Sequence, residues 1–146
     1  AVIERLAASC GAACVATTLL LHDHRAAYRH SAVLIDHSGL IHEQPQVHPS
    51  ARFAGSALAD GFASAELPCG RVAVVTSDDS IYPETFRLLA LAGVETAVVP
   101  LSPLEDWELA TGLLERSAEN RINLLVAPDS CAHGAGFITS RMPVES

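Results

Sequence analysis

The chain has 146 residues, 49% of them hydrophobic and 18% charged, with a formal net charge of −8. That length and apolar content suit one compact domain with a buried core and exclude a disordered chain. The acidic balance argues against a nucleic-acid surface, which needs a basic patch to replace phosphate counterions, and no apolar run approaches the roughly 20 residues of a membrane helix.

The opening segment AVIERLAASC sets Val2, Ile3, Leu6, Ala7 and Cys10 along one helical face, and Gly11 stops it. Glu4 and Arg5 inside that pattern do not fit a signal peptide. The segment starts without methionine and reads like the middle of a helix, so an incomplete chain is expected. Ala12–Leu21 is an apolar, partly β-branched run of the kind found in a strand buried on both faces. Ser31–Asp36 and Leu40–His42 flank His37-Ser38-Gly39, a hairpin signal with a glycine available for positive φ. Residues 43–69 are rich in Pro, Gly, Ser and Ala and show no sustained period. A segment that long without regular structure is expected to be irregular or functional.

The second half is more regular. Val72–Thr76 is a predicted strand, followed by the acidic turn Ser77-Asp78-Asp79-Ser80. Pro83 opens a helix at its first turn, where its missing N–H costs nothing, and Glu84 suits the helix dipole. That helix runs to Gly93 with apolar residues on two faces: Phe86, Leu89 and Ala90 on one, Leu88 and Leu91 on the other. Thr96–Val99 is the next strand, ending at Pro100. A helix over about Leu104–Asn120 carries Trp107, Ala110 and Leu114 on one stripe. Ile122–Ala127 and Phe137–Thr139 complete the strands. Alternating β and α elements this hydrophobic predict a layered α/β domain over residues 1–146.

Gly70–Pro100 reads GRVAVVTSDDSIYPETFRLLALAGVETAVVP. It resembles the nucleophile region of the carbon–nitrogen hydrolase (nitrilase/amidase) family, G-R-(apolar strand)-C-x-D-x-x-(F/Y)-P-E-x-x-R-x-L-A-L-x-G-(A/V)-E. Gly70, Arg71, Asp79, Tyr82, Pro83, Glu84, Arg87, Leu89, Ala90, Leu91, Gly93 and Glu95 fall in register. HSAVLIDHSGLI is similar to the family's N-S-x-x-(V/I)-D-x-x-G-x-(I/V) hairpin, with His30 in place of Asn, and WELATGLLERSAEN is similar to a later helix. The resemblance implies an α/β, nitrilase-like four-layer α-β-β-α sandwich, incomplete at its ends.

In that family a cysteine attacks the amide or nitrile carbon, a glutamate moves protons, and a lysine stabilises the tetrahedral intermediate. A thiol suits the first role because it ionises readily; a fixed cation suits the last. Here Ser77 stands at the cysteine position and Gln46 at the lysine position, in a stretch where His48 matches the family histidine. The sequence contains no lysine at all. The resemblance therefore implies a pseudoenzyme that binds a small amide- or carboxylate-type metabolite or serves a regulatory or sensing role. The competing reading is an active amidohydrolase cleaving non-peptide C–N bonds with Ser77 as altered nucleophile. Ligand-binding candidates are Asp78, Tyr82, Glu108 and Cys131. Asp78 and Asp79 read as helix-cap carboxylates more readily than as bases. His22-x-His24 lacks the further ligands a metal site needs, and Cys131 with His133 reads as pocket lining. No cofactor or metal is expected. Cys10, Cys14, Cys69 and Cys131 show no paired CxxC spacing and suit reduced thiols in a cytoplasmic protein. The second apolar face of helix 83–92, with Trp107 nearby, implies a homodimer through the family's helical contact, besides the small-molecule ligand. A membrane or nucleic-acid partner is not expected.

Overall fold

The computed structural model describes residues 2–11, 14–24, 26–103, 107–128 and 138–139. In chain order its elements are α1 (Val2–Cys10), β1 (Val15–Leu21), β2 (Arg29–Asp36), β3 (Gly39–Pro45), β4 (Ala65–Leu67) and β5 (Gly70–Val74). There follow α2 (Ser77–Ser80), α3 (Pro83–Leu91), β6 (Thr96–Leu101), a π-helical turn (Glu108–Gly112), α4 (Leu113–Asn120), β7 (Asn123–Pro128) and β8 (Ile138–Thr139). No described helix is long and apolar enough to cross a membrane.

Strands β1, β2 and β3 form an antiparallel sheet in that order. Asp36 pairs with Gly39 across a two-residue turn, and Gly39 sits at φ 121°, where a side chain would be strained. The second sheet has the order β4-β5-β6-β7-β8: β5, β6 and β7 run parallel, with antiparallel β4 and β8 at its edges.

The alternation of side chains along each strand stacks these pieces into four layers. On β2, Val33 and Ile35 face α1 and meet Ala7 and Cys10. Their neighbours Ala32 and Leu34 face the other way and meet Val74 of the second sheet, with Ile41 and Val98 packed against them. Ala73, Val75, Ala97, Val99, Leu124 and Val126 point away from that seam toward α3 and α4, burying Phe86, Leu89 and Leu113. The result is α1, sheet, sheet, then α3 and α4: the predicted α-β-β-α sandwich.

Several expectations need correction. The run ending at Leu21 is half-buried, and β1 is an outer strand of its sheet among the described residues. Its apolar sequence alone cannot distinguish that position from a fully covered one. The stretch 43–69 contributes the end of β3 and all of β4. In the helical segment after β6, Trp107 and Leu114 of the expected stripe are exposed, and Glu108, Leu113 and Ser117 are buried.

Pro100 lies inside β6 rather than after it. Residues two apart in a strand aim their backbone groups the same way, and the Val98 carbonyl accepts from Val75 N on the β5 side. The missing N–H of Pro100 thus faces the side where β5 ends and the chain turns into α2, and the β5–β6 ladder stops there.

Candidate functional site

The parallel strands end at one rim, where the crevice of an open α/β sheet normally lies. There a cavity of about 420 Å3 is lined by Thr17 and Thr18 of β1, His30 of β2, Arg52 and Phe53 of the 46–64 connection, and Ser77 and Asp78 of α2. Pro100, Leu101, Ser102 and Ala127 complete the lining. The volume falls within the range of small-molecule sites.

The turn that carries Ser77 is fixed from below. Thr76 caps α2, its hydroxyl oxygen accepting from Asp79 N at 3.3 Å and its proton going to Asp79 Oδ2 at 2.7 Å. Asp79 is fully buried and also accepts from Val47 N, His48 N and His48 Nδ1 at 2.8–3.0 Å. One carboxylate therefore ties the strand-to-helix turn to the segment after β3. The His48 ring stacks on Tyr82 with centroids 3.9 Å apart. Gly70, the first residue of the motif, sits at φ 117°, and a Cβ there would meet the Glu95 carboxylate at 2.9 Å.

Ser77 is buried, and its hydroxyl is spoken for. It donates to the Ser102 carbonyl at 2.9 Å and accepts from Ser102 N at 3.0 Å, with Arg52 Nη2 at 3.5 Å. Among the described residues, no imidazole or carboxylate bonds it. A neutral backbone carbonyl lacks the basicity to accept the proton that a serine nucleophile must lose.

Gln46 is buried behind the pocket wall. Its Oε1 meets His30 Nδ1 at 2.8 Å and its Nε2 donates to the His48 carbonyl at 2.6 Å. That amide orientation puts the proton of a neutral His30 ring on Nδ1 and leaves Nε2 as the acceptor. His30 also stacks on Phe53 at 3.7 Å. Gln46 thus orients a pocket histidine and makes no bond to Ser77.

Asp78 pairs with Arg52 in a two-pronged ion pair, Nε to Oδ1 and Nη2 to Oδ2, each 3.1 Å. Ser50 Oγ donates to Asp78 Oδ1 at 2.6 Å, and Arg52 Nη1 donates to the Ser102 carbonyl at 2.9 Å. Asp78 does not cap α2, a role held by Thr76.

Of the predicted site residues, the structure brings Ser77 and Asp78 to the cavity. Gln46 stands one residue behind it, and Tyr82 is turned onto His48. Glu108 is buried in the π-helical turn beside Ser80 and Ile81, on the helical side. Cys131 and His133 lie outside the described residues. Arg52, Phe53 and Ser102 were missed by motif reading, and the only signal for the first two was the long aperiodic stretch that contains them. No described group of three His, Cys, Asp or Glu side chains is arranged to hold a metal ion.

Beside the pocket, the three-stranded sheet carries its own charge network. The hydrogen bond from Arg29 holds the Glu43 carboxyl below its ordinary range against the opposing effect of burial, with Ser31 and the Arg29 charge adding to it. Reciprocally, Glu43 raises the Arg29 guanidinium. Burial pushes the neighbouring His42 imidazole down, and its Nε2 is buried with no hydrogen-bond partner among the described residues.

No protein-family model and no curated protein sequence matches this chain. Solved structures do. A cysteine-to-serine mutant of the Nesterenkonia AN1 amidase from the nitrilase superfamily matches with TM-score 0.79 and 19% identity, over 95% of this chain and 58% of its own. A further amidase structure from Nesterenkonia sp. matches with TM-score 0.70 and 18% identity, over 86% of this chain and 50% of its own. Saccharomyces cerevisiae Nit3, from branch 10 of the nitrilase superfamily, matches with TM-score 0.68 and 14% identity, over 85% and 50%. The chain has the carbon–nitrogen hydrolase fold of the nitrilase superfamily, and spans about half to three-fifths of the length of these structures.

Proposed function

We propose that this chain is a nitrilase-like pseudoenzyme domain, corresponding to part of a longer domain, that binds a small metabolite at the Ser77 cavity without cleaving it. The observation that carries this is the Ser77 hydroxyl, whose proton goes to the Ser102 carbonyl. The sequence supplies no lysine for an oxyanion, and Gln46, at the expected position, holds His30 instead. Loss of one oxyanion donor costs about 10²–10³ in rate, and residues that act as a unit fail together. The related amidase structures include a butyramide complex and an acrylamide adduct at an active-site cysteine, so small amides are the fair substrates to try. Intact protein incubated with butyramide or acetamide should release no ammonia above background. Steady release abolished by Ser77→Ala would defeat this reading.

One observation favours the competing reading of an active amidohydrolase. Arg52 places a cation 3.5 Å from Ser77 Oγ. Its charge is committed to Asp78, however, which weakens it as an oxyanion partner. The same assay on Arg52→Gln separates the two, since an oxyanion role predicts further loss of any turnover.

The reading extends to a cytoplasmic homodimer. Leu88 is 54% exposed, Leu91 72% and Trp107 53%, which leaves apolar surface on the helical layer. Light scattering on intact protein should give a dimer mass that falls with Leu88→Glu or Leu91→Glu. A monomer at high concentration, indifferent to either change, would end the dimer proposal.

A further inference from the structure

We infer that the Ser77 cavity is selective for zwitterions of α-amino-acid type, with Arg52 taking the carboxylate and Asp78 the ammonium. The inference rests on the non-cleaving reading of the same site and adds the ligand class. Its basis is that the cavity's two oppositely charged side chains are already paired with each other, at 3.1 Å on both prongs.

Consider what each kind of ligand does to that pair. A simple anion that captures Arg52 strips Asp78 of its cation. Asp78 has a side chain only 7% exposed, and it would keep just the Ser50 hydroxyl. A buried carboxylate left in that state is strongly disfavoured. A simple cation that captures Asp78 releases Arg52, whose side chain is 30% exposed and recovers some water. It still leaves the guanidinium held in the cavity by the Ser102 carbonyl with no anion beside it. A neutral amide leaves the pair closed and meets the uncharged lining, chiefly Thr17, Thr18, His30 and the already bonded Ser77 hydroxyl. A ligand carrying both charges exchanges one ion pair for two and strands neither partner.

The charge spacing follows from the same geometry. Because Arg52 and Asp78 touch, the two ligand charges must sit close together. An α-amino acid, with one carbon between carboxylate and ammonium, meets that condition. Arg52 offers a planar fork suited to a carboxylate, and the Ser102 and Ser50 contacts keep both partners in place during the exchange. The discrimination is built from penalties against singly charged competitors as much as from attraction.

The test is calorimetric titration of the intact protein with the common α-amino acids, each against its matched singly charged and neutral fragments. For alanine these are propionate, ethylammonium and propionamide. At least one amino acid should bind tenfold or more tightly than all three of its fragments, and Arg52→Gln or Asp78→Asn should each weaken it tenfold or more. Thermal midpoints of the two variants show whether they remain folded, and the wild-type comparison stands without them. Equal or tighter binding of the anion, cation or amide, or no binding by any amino acid, overturns the zwitterion assignment. Ammonia release from propionamide would instead defeat the non-cleaving reading, so the two failures are distinguishable.

Discussion

Two segments meet at Ser77 and are held by opposite means. Residues 70–93, strand, turn and helix, are secured by packing: Ala73, Val75, Phe86 and Leu89 lie in one dry cluster with the neighbouring strands. Residues 46–64 give that cluster only the partly buried Phe62 at their far end, and polar bonds to the turn hold the rest: Val47 and His48 to Asp79, Ser50 and Arg52 to Asp78. Yet it is the second segment that brings the cation to the cavity, Arg52, opposite Asp78 of the first. The contrast teaches that the framework of this site comes from hydrophobic burial, while its character comes from a connection fastened by two adjacent carboxylates.

The largest expected effect is on the packed segment. Phe86→Ala should destabilise the protein by about 3–5 kcal/mol, because a fully buried aromatic ring leaves a cavity that cannot collapse. Urea unfolding should show a lower midpoint, and a loss near zero would mean the core at α3 is looser than described. The polar fastening comes next. Asp79→Ala leaves Val47 N, His48 N and the Thr76 hydroxyl without their acceptor and should cost roughly 2–4 kcal/mol. Limited proteolysis should then cut within 46–64 before anywhere in 70–93. Simultaneous cleavage in both would erase the distinction between the segments.

A smaller effect belongs to the first sheet. Glu43→Gln should cost about 1 kcal/mol at neutral pH, the ordinary worth of a partly exposed charge-assisted bond. Because the folded state lowers the Glu43 pKa, its contribution is present above the unfolded value of about 4.3 and disappears as pH falls through the folded value. Stability curves of wild type and variant should therefore converge in acid, and a constant offset down to pH 2 would contradict the assignment. The smallest effect is that of His42, whose folded pKa is also lowered. The unfolded chain binds the extra proton first, so stability should fall as pH drops from about 6.5 toward the folded value. His42→Leu should flatten the unfolding midpoint between pH 7 and 5, and an unchanged slope would remove His42 from consideration.

The same contrast explains what could be read from the sequence. The strand–turn–helix around Ser77 was legible because periodicity, Pro83 and a dozen motif positions act locally. The Gly39 hairpin was legible for the same reason. Arg52 was not, since its partners Ser77, Asp78 and Ser102 are 25, 26 and 50 residues away and no local pattern links them. Tyr82 and Glu108 show the other limit. A motif fixes where a residue falls along the chain, but packing decides which way it turns, and these two turn to His48 and to the helical layer. The β1 run illustrates it once more, since an apolar segment does not say whether one neighbour or two will cover it.

Pro100 carries a consequence that reaches the cavity mouth. Two parallel strands tend to zip until something stops them, and in most sheets the stop is a change of direction. Here the stop is also chemical: past Val98, β6 has no hydrogen to offer on the side where β5 has just departed. The chain entering α2 is therefore met by a side chain instead of a strand: Ser77 Oγ takes up the N–H and the carbonyl of Ser102, just past the end of β6 and at the cavity wall.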